Sequence, residues 1–120
     1  MRLLTHNGLR CGRSDVTSGY PLKIIPEKVE VLDSPCNREF IAELLSSINW
    51  AAFRSAAIEL GIDTLPETLT AECAEDAAFI DAVHHILMDV HVIEGRLMCP
   101  ESGQVFVVSN GIANMTYVNS

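Results

Sequence analysis

The cysteines are the first residues whose types and spacing point to chemistry. Cys99-Pro100 begins like the Cys-Pro-x-Cys knuckle of a structural zinc site, but Ser102 occupies the position of the second thiolate. Cys11 likewise has no second Cys in the stretch that follows it. Because structural zinc is usually held by a complete tetrahedral set of ligands in close pairs, we predict that the chain binds no zinc. Cys11 and Cys99 are then vestigial metal-site candidates.

The histidines do not complete a metal site in the sequence either. His84 and His85 are neighbours in a predicted helix, where successive side chains point about 100° apart and cannot chelate one ion together. His84 and His91 can share a helix face, but neither a Cys nor a carboxylate pair accompanies them. The acidic residues around the start of the same helix suit the helix dipole better than a catalytic dyad; they are Glu72, Glu75, Asp76 and Asp81.

The sequence contains no recognisable catalytic motif. Glycine-rich phosphate loops, the Gly-x-Ser-x-Gly nucleophile elbow and the His-Glu-x-x-His zinc motif are all missing from it. A self-sufficient enzyme needs titratable groups placed around a reacting atom, so we predict no catalytic and no cofactor-binding residues. A small metal-dependent enzyme that uses His84, His91 or the cysteines stays an alternative, which bound metal after purification would favour.

The composition is that of an acidic single domain. The chain has 120 residues, 48% of them hydrophobic, which suffices for a core without disulfides. Its 8 basic and 16 acidic residues give a net charge of −8, and this disfavours direct nucleic-acid binding, which relies on Lys and Arg at phosphates. The sequence has neither a long apolar run nor a secretory signal, so we expect no membrane association and a cytoplasmic and nuclear location.

Strand-like runs occupy the first third of the chain. Residues 2–5 are predicted as a short strand. Residues 21–25 and 28–32 are also strand-like, and Pro26 between them marks an edge or a break.

Helices fill the middle of the chain. Asn37 and Asn49 can each cap a helix whose apolar residues recur at spacings of three and four. Gly61 stands where a glycine ends the second helix. A third helix carries an apolar stripe from Phe79 to Val90.

Strands return in the last third. Residues 92–98 alternate loosely, with a possible turn at Glu94-Gly95. The turn-forming run 100–103 predicts a hairpin that joins this strand to 104–108. Asn110-Gly111 is a second turn signal, which a short segment follows. The order strands, helices, strands predicts an α+β protein with a helical insert carried by a small sheet from both chain ends.

Several stretches resemble the family of multifunctional methyltransferase-activating subunits. The similarity runs in order over nearly the whole chain, and the combination is specific although each motif alone is weak. The stretches are MRLLTHN at 1–7, GYPL at 19–22, WAAF at 50–53, HHxL at 84–87, EGxLxCPESG at 94–103 and NGIxNM at 110–115.

The resemblance implies both a fold and a function. The fold is α+β, with a small antiparallel zinc-ribbon-like domain from residues 1–36 and 91–120 and a helical insert at 37–90. The function is that of a non-catalytic activator that forms heterodimers with S-adenosylmethionine-dependent methyltransferases acting on tRNA, rRNA and a translation release factor. The partner holds S-adenosylmethionine, and RNA is reached only through the partner. The alternative is a degenerate zinc-ribbon module that binds nucleic acid directly.

The resemblance also implies that this chain lost a zinc site. Zinc-binding members carry two Cys pairs, of which this sequence keeps only Cys11 and Cys99. The ribbon fold would then be kept because its strand edge binds the partner. Ala113 stands where the family usually has Pro, and Thr116-Tyr117 replaces a more apolar tail.

The partner surface is predicted at both chain ends, within residues 1–7 and 106–116. Leu3, Phe106, Val108, Ile112 and Met115 are expected to supply burial of about 1.5–3 kcal/mol each when fully covered. Which of them face the partner depends on strand register. The complete predicted set is Met1, Leu3, Thr5, His6, Asn7, Phe106, Val108, Ser109, Asn110, Gly111, Ile112, Asn114, Met115 and Thr116.

Overall fold

Both ends of the chain contribute strands to one antiparallel sheet. The structure is a computed structural model that describes residues 1–11 and 19–115. The strands are β1 (Lys23–Val31), β2 (Val90–Met98), β3 (Val105–Ser109) and β4 (Ile112–Asn114). They follow one another in the order β1-β2-β3-β4, so β1 and β4 form the two edges of a four-stranded sheet. The predicted α+β class is confirmed at this level.

β1 passes through Pro26 without ending, although its pairing with β2 is irregular there. The register shifts between Pro26 and Lys28 and again between Lys28 and Val29. Pro26 has no N–H for a ladder, and an edge strand with a bulge is where a sheet tolerates it. Opposite this bulge, a Cβ on Gly95 would lie only 2.6 Å from the Ile25 carbonyl oxygen. The predicted turn at Glu94-Gly95 is therefore wrong: Gly95 lies inside β2 and permits a close approach of two backbones.

Two turns fold the last third into a meander. The predicted hairpin between β2 and β3 is confirmed, since the Cys99 N–H donates to the Gln104 carbonyl at 2.8 Å. Asn110 and Gly111 both have positive φ, 51° and 75°. This is the left-handed pair that a two-residue type I′ hairpin needs, and it places β4 beside β3.

The predicted caps define the central helices. The Asn37 side chain accepts from the Phe40 N–H at the start of α2 (Arg38–Ser47). Asn49 does the same for the Ala52 N–H at the start of α3 (Trp50–Glu59). Gly61 follows α3 with φ 85°, and its N–H reaches the Ile58 carbonyl at 2.9 Å. This left-handed glycine satisfies a carbonyl that the helix end would leave open.

The third predicted helix has two parts. After a 3₁₀ turn (Cys73–Glu75), α4 (Ala77–His84) begins at Asp76, whose carboxylate accepts from the Ala78 and Phe79 N–H groups. The chain then widens into a π-helical turn, His85–Asp89, before it enters β2. As the sequence predicted, an acidic residue at the start of this helix, Asp76, therefore serves as its cap.

The predicted strand at residues 2–5 is wrong, because these residues belong to a short helix, α1 (Leu3–Asn7). The His6 N–H donates to the Arg2 carbonyl at 3.2 Å, and only Arg2 makes a strand-like bridge, to His91. Leu3 and His6 are both almost fully buried. A helical turn buries these two residues on one side, whereas strand geometry would send Leu3 and His6 to opposite faces.

The core lies between the inner face of the sheet and the helices. α1 and α3 pack together, α3 packs on β1, and α2 packs on α4. The largest fully buried side chains include Phe53, Phe106, Leu22, Leu87 and Leu97. Within the part of the chain that is described, no helix has the length and apolarity needed to cross a membrane.

Candidate partner-binding site

The two predicted contact segments meet at a groove. It has a volume of about 370 Å³ and lies between the N-terminal segment and the β3–β4 turn. Its walls come from both chain ends and from the start of β2: Met1, Arg2, Thr5, Leu9, His91, Gly111, Ile112 and Ala113. The lining is mainly apolar, so the groove fits an apolar side chain better than a charged one.

Met1 ties the N-terminus to β2 and to the β3–β4 turn. Its α-amino group donates to the Val92 and Gly111 carbonyls, both at 2.7 Å, and its own carbonyl accepts from the Val92 N–H at 2.8 Å. The Gly111 N–H in turn donates to the Ile93 carbonyl at 2.9 Å. These main-chain bonds hold Met1 and the β3–β4 turn against β2.

Three basic groups lie at this groove: the Met1 α-amino group, Arg2 and His91. Burial is the main cause that lowers the pKa of His91, and the nearby Met1 ammonium and Arg2 lower it further. The pKa of the Met1 α-amino group is also lowered, first by burial and then by Arg2. Arg2 therefore supplies the permanent cation at this end of the molecule, whose net charge is −8.

The two edges of the sheet differ in whether a further strand can pair with them. On β1, the Ile24 N–H donates to the carboxylate of Glu59 on α3. Pro26 and the register shifts disrupt the rest of that edge. β4 pairs with β3 on one side only, and no other described strand adjoins it. Since an open edge is a template for another strand, β4 is the edge at which a partner strand can add.

An apolar outer face adjoins β4. Ile112 is 71% exposed, Val107 on β3 is 54% exposed and Val105 is 38% exposed. The register pairs Ile112 with Ser109 and Val107 with Asn114, which places all of these side chains on one face of the sheet. Val105, Val107 and Ile112 thus form an exposed stripe, called the outer stripe below.

The structure buries the side chains of several predicted contact residues. Leu3, Phe106 and Val108 are 0–1% exposed and lie in the protein's own core, so their side chains are not offered to a partner. His6 is equally buried, and its Nε2 contacts the Leu22 carbonyl at 2.6 Å. Side chains alternate along β3: Phe106 and Val108 point inward, and their neighbours Val105 and Val107 point outward.

The remaining predicted residues are spread over different roles. Asn7 bonds to the main chain of Asn49 through both its amide oxygen and its amide nitrogen, which ties α1 to α3. The Asn110 N–H donates to the Glu94 carboxylate at 3.2 Å. Met115 is half-buried against the core, whereas Ser109 and Asn114 are exposed. Thr116 lies outside the described residues.

Four groove residues are absent from the predicted set: Arg2 and Ala113 lie within the predicted segments, and two others lie outside them. Leu9 follows α1 and His91 opens β2, and neither lies in the two segments that were predicted. The Arg2–His91 bridge brings His91 next to the N-terminal segment. No periodic signal marks such a long-range bridge, so only the fold identifies these two positions.

The two candidate metal cysteines are neighbours in the structure. Cys11 and Cys99 are buried, and the Cys99 sulfur accepts from the Ser102 N–H at 3.3 Å. Burial opposes the thiolate of Cys99, but hydrogen bonds from Ser102, from the Glu101 N–H and from the Cys11 thiol outweigh it and lower the pKa of Cys99. Among the described residues, no further Cys, His or carboxylate completes a cluster with them. This pair does not fit the ligand set of a structural zinc ion.

Comparison with known proteins gives closely similar relatives. The multifunctional methyltransferase subunit TRM112-like protein of Mus musculus is 40% identical over 116 residues, which cover 96% of this chain and 93% of the mouse protein. The TRM112 homolog A of Arabidopsis thaliana is 40% identical over 117 residues, covering 96% and 94% of the two chains. No protein-family model matches the chain.

A solved structure shares the fold. It is the E. cuniculi complex of Mtq2 with Trm112, described as responsible for methylation of the translation termination factor eRF1. The matching chain aligns with a TM-score of 0.63 at 20% identity and covers 100% of this chain and 99% of that one. The fold is thus that of a small α+β protein with one open sheet edge among the described residues. The full-length similarity to the mouse and plant proteins shows that the chain belongs to the TRM112 family of multifunctional methyltransferase subunits.

Proposed function

We propose that this chain is a non-catalytic activator of S-adenosylmethionine-dependent methyltransferases that modify tRNA, rRNA and a translation release factor. The observation that carries the proposal is the open β4 edge between an apolar groove and the exposed outer stripe, at the point where both chain ends meet. Family membership supports the methyltransferase as the partner. The partner binds S-adenosylmethionine, and the two chains form a one-to-one heterodimer.

Binding combines strand addition with apolar contact. A partner strand pairs with the outer main-chain groups of β4, while its side chains cover Ile112 and Val107 on one face. The groove beside Met1 and Leu9 accepts an apolar side chain, and Arg2 at its rim attracts an acidic one. These residues replace Leu3, Phe106 and Val108 in the contact set, because those three already fill the core.

The sheet with its Cys99 turn serves as a zinc-ribbon-like scaffold without zinc. Cys11, Cys99 and Ser102 hold the turn by hydrogen bonds where related ribbons use a metal ion. The division into a ribbon-like part (1–36 and 91–120) and a helical insert (37–90) is part of the same proposal. Because the net charge of this chain is −8, the partner rather than this chain binds RNA and supplies the basic surface that contacts the phosphates.

The proposal is tested by co-expression with a methyltransferase from the same genome that is related to Mtq2. We expect a one-to-one complex, a more soluble partner, and S-adenosylmethionine binding by the partner only when this chain is present. Equal solubility and cofactor binding of several candidate enzymes without the chain would contradict the proposal. Salt-sensitive RNA binding by the lone chain would instead favour the nucleic-acid-binding alternative.

A further inference from the structure

A cluster of metal-ligating side chains lies where β1 and the π-helical turn meet, outside the partner-binding site. Asp33 follows β1, while His85 and Asp89 begin and end the π-helical turn. One ligand atom from each of these three residues lies within 4.8 Å of the other two. The His85 Nδ1 and the Asp89 Oδ2 are 3.3 Å apart.

Asp89 is fixed in the orientation that a metal ligand requires. Ser34 donates two hydrogen bonds to its Oδ1, from its N–H at 3.0 Å and from its hydroxyl at 2.7 Å. The second carboxylate oxygen, Oδ2, faces His85 and lies 3.8 Å from the Nδ1 of His84. Outer hydrogen bonds of this kind orient ligating carboxylates and raise the affinity of metal sites.

The charge of the cluster favours a cation. The Asp89 carboxylate accepts two hydrogen bonds from Ser34 and faces the imidazoles of His84 and His85. Asp33 and Asp89 thus bring two carboxylates close together, with an imidazole of His85 beside them. A divalent cation between the two carboxylates would offset their negative charge.

The π-helical turn supplies the geometry. His85 and Asp89 are four positions apart, so both side chains lie on the same side of the helix. Single π-helical turns occur frequently at functional sites. Asp33 and His85 are exposed, whereas Asp89 is buried. An ion here would therefore keep open positions for water.

We propose that Asp33, His85 and Asp89 bind a first-row divalent cation of the Zn²⁺ and Co²⁺ class. One imidazole nitrogen and two carboxylate oxygens suit such borderline ions better than the soft ions that prefer thiolates. The ion links the segment after β1 to the π-helical turn that leads into β2. It stabilises the junction between the sheet and the helices and is independent of Cys11 and Cys99. The expectation that the chain holds no metal is revised at this position alone.

The test is titration of the full chain, freed of metal by chelation, with Co²⁺, followed by competition with Zn²⁺. We expect one ion per chain, visible absorption typical of nitrogen and oxygen ligands, and a raised melting temperature. His85→Gln and Asp33→Asn should each weaken binding at least about tenfold, the usual loss when a ligand or its support is removed. Both residues are exposed, so the fold should persist in circular dichroism.

Matched controls separate this site from general surface binding and from the cysteines. Asp63→Asn changes an exposed aspartate away from the cluster and should leave the Co²⁺ affinity unchanged. No binding at millimolar Co²⁺, or binding that is unaltered by both His85→Gln and Asp33→Asn, would overturn the proposal. So would an intense thiolate-to-cobalt charge-transfer band that disappears in Cys99→Ala, because it would place the ion at the cysteines.

Discussion

Replacement of Ile112 by Ala tests the β4 edge directly. Ile112 exposes 71% of its surface in the free chain, so a partner that covers it removes most of that area from water. Full burial of an Ile side chain is worth about 1.5–3 kcal/mol, and the exposed share corresponds to about 1–2 kcal/mol. The variant should therefore weaken the complex by a factor of about five to thirty.

The dissociation constant of the complex with the partner methyltransferase is measured by calorimetry for the parent chain and for Ile112→Ala. The variant's own unfolding should change little, because so exposed a side chain contributes few core contacts. Ile58→Ala is the matched control, since Ile58 is an isoleucine on α3 that is 45% exposed and lies outside the proposed surface.

The reasoning would be refuted by an unchanged dissociation constant for Ile112→Ala in a folded chain. It would also fail if Ile58→Ala weakened the complex equally, because the effect would then follow general surface hydrophobicity rather than the β4 edge.

Three further predictions concern stability and pH. Gly95→Ala should lower the free energy of unfolding by about 1–3 kcal/mol in urea titrations, because its Cβ would meet the Ile25 carbonyl oxygen at 2.6 Å. Gly8→Ala is its control, since there the nearest atom is 3.7 Å away; an equal loss in both variants would contradict the close-approach argument. Asn37→Ala should cost about 1 kcal/mol by removal of the α2 cap, whereas Asn37→Asp should retain most of the thermal stability; equal losses would refute the capping role. Burial lowers the pKa of His6 from 6.5, only partly offset by the hydrogen bond to a carbonyl. As the pH falls, the unfolded chain therefore takes up a proton on His6 before the folded chain does. The contribution of neutral His6 to the free energy of unfolding is complete above about pH 6.5 and is lost as the pH falls below that value. His6→Gln should flatten this decline in denaturation curves between about pH 7 and 5, and an unchanged slope would exclude His6 as its source.

Local signals in the sequence predicted much of this fold. Asn37 and Asn49 are capping residues, Gly61 supplies a left-handed helix end and Asn110-Gly111 forms a two-residue hairpin turn. Each of these features depends on a few adjacent residues whose backbone preferences are strong. Such signals are readable without knowledge of the tertiary structure.

The errors arise where tertiary contacts decide the local structure. Residues 2–5 look like a strand, but burial of Leu3 and His6 on one side requires a helix. Gly95 looks like a turn residue, but its missing side chain is needed for the close approach of β1. Neither requirement is visible in the residues next to these positions.

The candidate sites, too, are only partly predictable from the sequence. The similarity to a family directed attention to both chain ends, and the groove brings Met1, Thr5, Gly111 and Ile112 together. It leaves the strand parity open, so only the structure shows that the side chains of Phe106 and Val108 are buried. In the cluster of Asp33, His85 and Asp89, Asp33 lies far from the other two residues in the sequence, so no local spacing motif reveals the complete set.

The unequal edges of the sheet also set a limit on self-assembly. Within the described residues, the β1 edge is closed by Glu59 and its bulge, whereas β4 is open. A subunit with two open edges can polymerise into a fibril, because every added copy presents a new edge. Two copies of this chain that pair through β4 use up both open edges and close into a two-fold dimer. The protein can thus expose the β4 edge to a partner, even when the protein itself is concentrated, without assembling into a filament.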